Sequence, residues 1–215
     1  MKNDFNPKIR GIIRLAEKLP HFDFDDLIGL EKDRNYLKVL FSRYEKAGKL
    51  IRLKKGLYTT RAFLDAIEKK GLLSIYQEFL ANFLCPSSYL SLDYILYEYN
   101  CLAEIPNNFT SIAKNKTVNF SNGLGNFFYH KIKNNLFCGF AVVREGEFSV
   151  LRASKAKALF DYVYLRKNDL PDKKSAEELR LNLDNFKAGD WVEFKKYVVI
   201  DGSTKIKKIF KFLHQ

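Results

Sequence analysis

A chain of 215 residues has room for one or two domains of about 100–200 residues, and 47% hydrophobic with 15% aromatic content excludes wholesale disorder. With 37 Lys and Arg against 25 Asp and Glu, the formal net charge is +12, which favours a polyanionic partner: nucleic acid, an anionic membrane surface or an acidic protein. Cys85, Cys101 and Cys138 show no CxxC spacing and only His21, His130 and His214 could join them, so no metal site, disulfide framework or cofactor is expected.

Pro7 suits the first turn of a helix over 7–19, where Ile9, Ile12, Ile13, Ala16 and Leu19 recur at helical spacing until Pro20. Asp23 is placed to cap a second short helix with Phe24, Leu27 and Ile28 turned inward and its end at Gly29. A third is expected from about Lys32 to Ala47, with Leu37, Leu40, Phe41 and Tyr44 as its apolar stripe and Gly48 closing it. The β-prone runs Leu50-Ile51-Arg52-Leu53 and Leu57-Tyr58-Thr59 flank Lys54-Lys55-Gly56, a hairpin signal. Three short helices followed by a basic hairpin is the order of a winged helix-turn-helix, expected over residues 1–60.

Residues 61–215 read as an α+β domain. Ser74 with Gln77 has capping-box spacing and opens a helix through about Leu84, and Ser91 is placed to cap another ending near Asn100. Five apolar runs follow, Phe109–Ala113, Thr117–Phe120, Asn126–His130, Phe137–Val143 and Phe148–Leu151, divided by Asn122-Gly123, Asn134-Asn135 and Glu145-Gly146. They predict an antiparallel β-meander. Helices return with Ser154 as a cap before Ala158, Leu159, Tyr162 and Leu165, and with capping-box pairs Ser175–Glu178 and Asp190–Glu193. Gly202 precedes a last helix holding Ile206, Ile209, Phe210 and Leu213. Charges at Lys8, Arg10 and Arg14 argue against a secretory leader, and the uncharged run Phe79–Leu92 falls short of the roughly 20 residues that span a bilayer. A cytoplasmic protein without a membrane partner is expected.

Residues 31–55 carry nine basic against three acidic side chains, half of the chain's whole excess. With Leu37, Leu40 and Tyr44 inward, 100° per residue puts Asn35, Lys38, Ser42 and Lys46 on the opposite face, and Arg34 at its edge near the helix N-terminus. Arg pairs with guanine edges and Asn with adenine, while lysines suit phosphates. The candidate duplex-DNA contacts are therefore Lys32, Arg34, Asn35, Lys38, Ser42 and Lys46, joined by Arg52, Lys54 and Lys55 of the hairpin.

The segment Phe41–Tyr58 resembles the end of the winged helix in the AbiEi antitoxin family, where it takes the form RLxKxGxLxRLxRGxY. Pro86-Ser87-Ser88-Tyr89-Leu90-Ser91-Leu92-Asp93-Tyr94-Ile95-Leu96 is similar to that family's PSYLSLEYAL, and Arg152–Leu165 to its ASPEKALLDYLYL. The chain departs from the pattern at Lys155-Ala156, where Pro-Glu is usual, and at Asn100, where Gly is common. The resemblance implies an antitoxin of a type IV toxin–antitoxin and abortive-infection system. Its N-terminal domain would repress its own operon at inverted repeats of promoter DNA, and its C-terminal domain would counter a nucleotidyltransferase-like toxin.

The alternative is a winged helix fused to a metal-dependent nuclease, with Asp161 and Glu193-Phe194-Lys195 as a D…ExK pair for Mg²⁺. So short a pattern arises often by chance, and Asp161 and Glu193 are explained by an apolar helical stripe and by capping opposite Asp190, so no catalytic residue is assigned. Lys205, Lys207, Lys208 and Lys211 crowd the last helix opposite its apolar residues, a second basic surface for DNA, toxin or the toxin's RNA substrate, or a solvated face.

Overall fold

The computed structural model describes residues 7–214, so the first six positions of the expected N-terminal domain lie outside the described residues. The chain is a mixed α+β protein of two compact units. The first runs as far as Gln77 and includes Phe120–Gly125; the second comprises Glu78–Asn119 and the chain from Asn126 onward.

The first unit opens with α1 (Pro7–Ala16), which buries Ile9, Ile12 and Ala16. It ends three residues short of the sequence expectation. Lys18 and Leu19 continue in tight turns onto Leu15 and Ala16, since the residue before Pro20 is driven away from helical torsions. The second helix is a single 3-10 turn, Asp25–Leu27, whose amides at 25 and 26 donate to the Asp23 carboxylate at 2.7 and 3.2 Å. Leu27 is buried, but Ile28 is exposed, contrary to expectation: one short 3-10 turn cannot point both neighbours inward.

Helix α2 (Arg34–Lys46) starts where Asp33 caps it, accepting from the amides of Asn35 and Tyr36 at 2.8 and 3.1 Å. Gly48, with φ of 67°, follows its end. Strands β1 (Leu50–Lys54) and β2 (Leu57–Thr60) pair antiparallel through a turn in which Gly56 holds φ of 81°, with an irregularity between Arg52 and Lys54. Phe22 joins β2 by a two-way backbone bridge to Tyr58, 2.9 Å in each direction. Phe41, Phe22 and Tyr58 meet edge-on or stacked within 5.0–6.1 Å at the centre of the core, with Leu37, Leu40 and Leu50 around them. Each such buried side chain contributes about 1.5–3 kcal/mol. Helix α3 (Arg61–Lys69) follows directly, its first turn capped by Thr60, which accepts from the Phe63 amide at 3.0 Å.

The remaining elements are α4 (Leu73–Leu84), β3 (Ser88–Leu90), α5 (Leu92–Glu98), β4 (Asn108–Ala113), β5 (Val118–Asn122), β6 (Gly125–Lys131), β7 (Phe140–Glu145), β8 (Phe148–Ala153), α6 (Lys155–Leu165), α7 (Lys173–Glu177), α8 (Ala188–Asp201) and α9 (Thr204–Leu213). The sheet is not a meander. Its order is β5-β6-β4-β3-β8-β7, with β4–β6 and β3–β8 parallel and β3–β4 and β7–β8 antiparallel. Buried β3 takes the centre, and β6 enters between β5 and β4, so two sequential neighbours are separated.

Several expected caps bind elsewhere. Ser74 lies inside α4, and Gln77 donates its amide to the Leu124 carbonyl at 2.7 Å. Asp172, not Ser175, caps α7, and Lys187, not Asp190, precedes α8. Asp190 sits in the first turn of α8 and accepts from the Lys187 amide at 2.8 Å. Ser154 does cap α6, accepting from the Lys157 amide at 3.1 Å.

Candidate nucleic-acid interface

Helix α2 presents one solvent face. Asn35, Lys38, Ser42 and Lys46 are all exposed, opposite buried Leu37, Leu40 and Phe41. The 100° spacing had placed them together, and the helix keeps that phase because Asp33 fixes its start. Lys32 is exposed in the loop before the cap.

Arg34, in the first position of the helix, forms an ion pair with Asp25 of the 3-10 turn, both side chains more than half exposed. The sequence reading missed this partner, and the spacing of nine residues across a loop offers no helical periodicity that would reveal it. A second tie escapes the pattern for the same reason. Lys8 of α1 donates to Glu31 at 2.6 Å, which holds the Glu31 carboxyl below its usual value and raises the Lys8 ammonium.

In the hairpin, Arg52 and Lys55 are exposed, Lys55 at the turn itself. Lys54 differs. It is half-buried, with its ammonium 5.9 Å from the centre of the Phe120 ring, and next to it the Leu53 carbonyl accepts from the Asn122 amide at 3.0 Å. Lys54 is thus partly engaged by aromatic surface, while Lys55 projects at the tip.

In the second unit the lysines at 205, 207, 208 and 211 are exposed on α9, whose Ile206 and Ile209 are buried. Lys205 donates to Asn168 at 2.9 Å.

The carboxylates of the D…ExK pattern have separate partners. Asp161, fully buried, accepts from Lys157 at 2.6 Å on one oxygen and from Ser91 and Tyr89 at 2.8 and 3.0 Å on the other. Burial pushes its carboxyl above the ordinary value, and the Lys157 ammonium and the two hydroxyls pull it back. Lys157 also donates to the Leu136 carbonyl at 2.8 Å. Glu193 accepts from Ser154 and Tyr197, each at 2.6 Å, which replaces the capping role expected of it. Among the described residues no group of three or more His, Cys, Asp or Glu is arranged to hold a metal ion. His130 is half-buried on β6, and among the described residues Cys85, Cys101 and Cys138 are not joined in disulfides.

No family model matches the chain, and no curated protein matches it. Among the described residues no helix is long and apolar enough to cross a membrane.

Proposed function

We propose that the protein binds duplex DNA sequence-specifically through a winged helix-turn-helix in its first unit, with α2 as recognition helix and the β1–β2 hairpin as wing. The observation that carries this reading is the single exposed face of Asn35, Lys38, Ser42 and Lys46, followed in the chain by a hairpin with Lys55 at its tip. The bridge from Phe22 to Tyr58 supports it, because it anchors the segment before the 3-10 turn to the hairpin. In this docking Asn35 and Arg34 reach base edges near the N-terminus of α2, and the lysines neutralise phosphates.

Together with the resemblance of three segments to the AbiEi family, the reading becomes a cytoplasmic antitoxin that represses its own operon at inverted repeats. The chain beyond the winged helix would counter a nucleotidyltransferase-like toxin without catalysis of its own. The three hydrogen bonds that Asp161 accepts, one on one oxygen and two on the other, support a structural rather than metal-binding role for that residue.

The test is a gel shift with the protein's own promoter at moderate salt. Binding to it above a scrambled duplex, abolished or strongly weakened by Asn35→Ala with Lys38→Ala, is expected. Equal retention of both duplexes counts against the DNA reading, and failure to rescue growth beside the adjacent toxin counts against the antitoxin reading alone.

A further inference from the structure

The first unit contains a cleft of about 710 Å³ that the proposed DNA contacts do not use. It lies among α1, the end of α2, and the residues joining the hairpin to α3. Its volume falls in the range of about 300–1,000 Å³ typical of small-molecule sites.

Its walls combine two chemistries. Ile9 and Ile13 of α1, Tyr44 of α2 and Leu50 of β1 supply apolar surface. Around them stand Arg10, Arg14, Lys49 and Arg61, against two carboxylates, Glu17 and Asp65. Among the described residues none of the three arginines forms an ion pair, whereas Lys49 lies 5.3 Å from the centre of the Tyr44 ring. The first turn of α3, nine residues long and capped by Thr60, also borders the cleft and adds the positive end of its dipole. An uncharged apolar ligand would draw nothing from the guanidinium groups of Arg14 and Arg61, and a bare inorganic anion would leave the apolar walls wet.

We propose that this cleft binds a small amphiphilic anion, an apolar carboxylate or phosphate monoester, with its acidic head on Arg14 and Arg61 and its hydrocarbon body on Ile13, Tyr44 and Leu50. Guanidinium groups suit both head groups, since they present paired donors to carboxylate or phosphate oxygens. The lining residues Tyr44 and Gly48 end the proposed recognition helix, and Leu50 and Thr60 form the base of the proposed wing. An occupant would therefore touch the roots of both elements assigned to the duplex. That regulatory consequence rests on the DNA-binding reading; the site itself does not.

The experiment uses the full chain without DNA, so its failure is distinct from failure of the DNA reading. Anilinonaphthalene sulfonate serves as fluorescent amphiphilic anion, displaced in turn by decanoate, decyl phosphate and decanol. Saturable binding is expected, displaced by the two anions and not by the alcohol. Arg14→Ala with Arg61→Ala, both exposed and thus tolerated by the fold, should weaken it by at least about tenfold through loss of two charge-assisted contacts. Lys207→Ala with Lys208→Ala should leave it unchanged. Displacement by decanol as good as by decanoate, or parent-like binding by the arginine variant, overturns the proposal. So does displacement of the probe by random-sequence duplex as effective as by decanoate, because the cleft would then be part of a phosphate-backbone surface.

Discussion

Arg34 and Asp25 both face solvent, so the ion pair between them is worth only about 0–1 kcal/mol and yields readily to a phosphate or a guanine edge. In the proposed docking, the carboxylate beside the N-terminus of α2 would nevertheless compete with DNA for the same guanidinium. Asp25→Asn should therefore tighten promoter binding, by up to about fivefold at low salt, measured by fluorescence anisotropy. An unchanged or weaker affinity would remove Asp25 as a competitor, and parent-like affinity of Arg34→Ala would show that Arg34 does not reach the duplex. His130 offers a different residue-scale test. Burial, then the nearby Arg166 charge, lowers its pKa from the ordinary 6.5, with Asp93 opposing. His21 is lowered in the same direction, chiefly by burial. The unfolded chain therefore takes up these protons first as pH falls, and the stability they contribute above the ordinary value is lost through the window below it. Glu78, raised by burial, works in the opposite sense, so the comparison must be between variants. His130→Gln should flatten the fall of Tm between about pH 7 and 5; a parent-like slope would remove His130 from the account.

At the scale of elements, Asp161 joins three of them: it lies on α6 and accepts from Tyr89 of β3 and from Ser91, the residue that opens α5. Ser91 was legible as the start of a helix, but its hydroxyl goes to Asp161 rather than to the helix's own amides. Asp161→Asn leaves the Lys157 ammonium buried with a poorer partner, and such breaks typically cost about 3–5 kcal/mol. Urea unfolding should report a loss of that order, and Lys157→Met with Asp161→Leu should lose less, because no charge is left alone. A loss under about 1 kcal/mol for the single variant would mean the brace is dispensable. The elements legible in the sequence share one property: their signals are local. The periodic stripe of α2, the Gly56 turn and the Ser154 cap need only residues within a few positions. The sheet order does not. Tyr89 and Leu90 sit in a run that alternates too briefly to announce a strand, yet β3 is central and fully buried. Gln77 had the spacing of a capping partner, and a carbonyl 47 positions away took its donor instead. In the candidate interface the exposed face of α2 was readable from phase alone, whereas the Asp25 partner of Arg34 required the loop's path in space.

Over the whole molecule, a charge of +12 is too diffuse to name a surface, since lysines stand on α2, on the hairpin and on α9. Salt dependence can divide them. Each phosphate neutralised by a protein cation releases condensed counterions, and the slope of log K against log salt changes by about 0.9 for each contact. The proposed docking assigns phosphates to Lys38, Lys46 and Lys55, all exposed in the first unit. Lys205, Lys207, Lys208 and Lys211 lie in the second unit on a helix held by Ile206 and Ile209, where Lys205 donates to Asn168 and the proposed docking assigns none of them to a phosphate. Replacing Lys38, Lys46 and Lys55 with Gln should then flatten the slope by about 2.7, with affinity for promoter and scrambled duplex falling together. Replacing the four α9 lysines removes one more charge from the molecule, so any effect of net charge alone would be at least as large. If binding is local, the α9 variant should shift the slope by less than about one unit. Equal slopes for the two variants would show that the duplex meets the protein's field as a whole, and would defeat the docking on α2 and the hairpin. A larger effect for the α9 variant would move the principal DNA surface to the second unit.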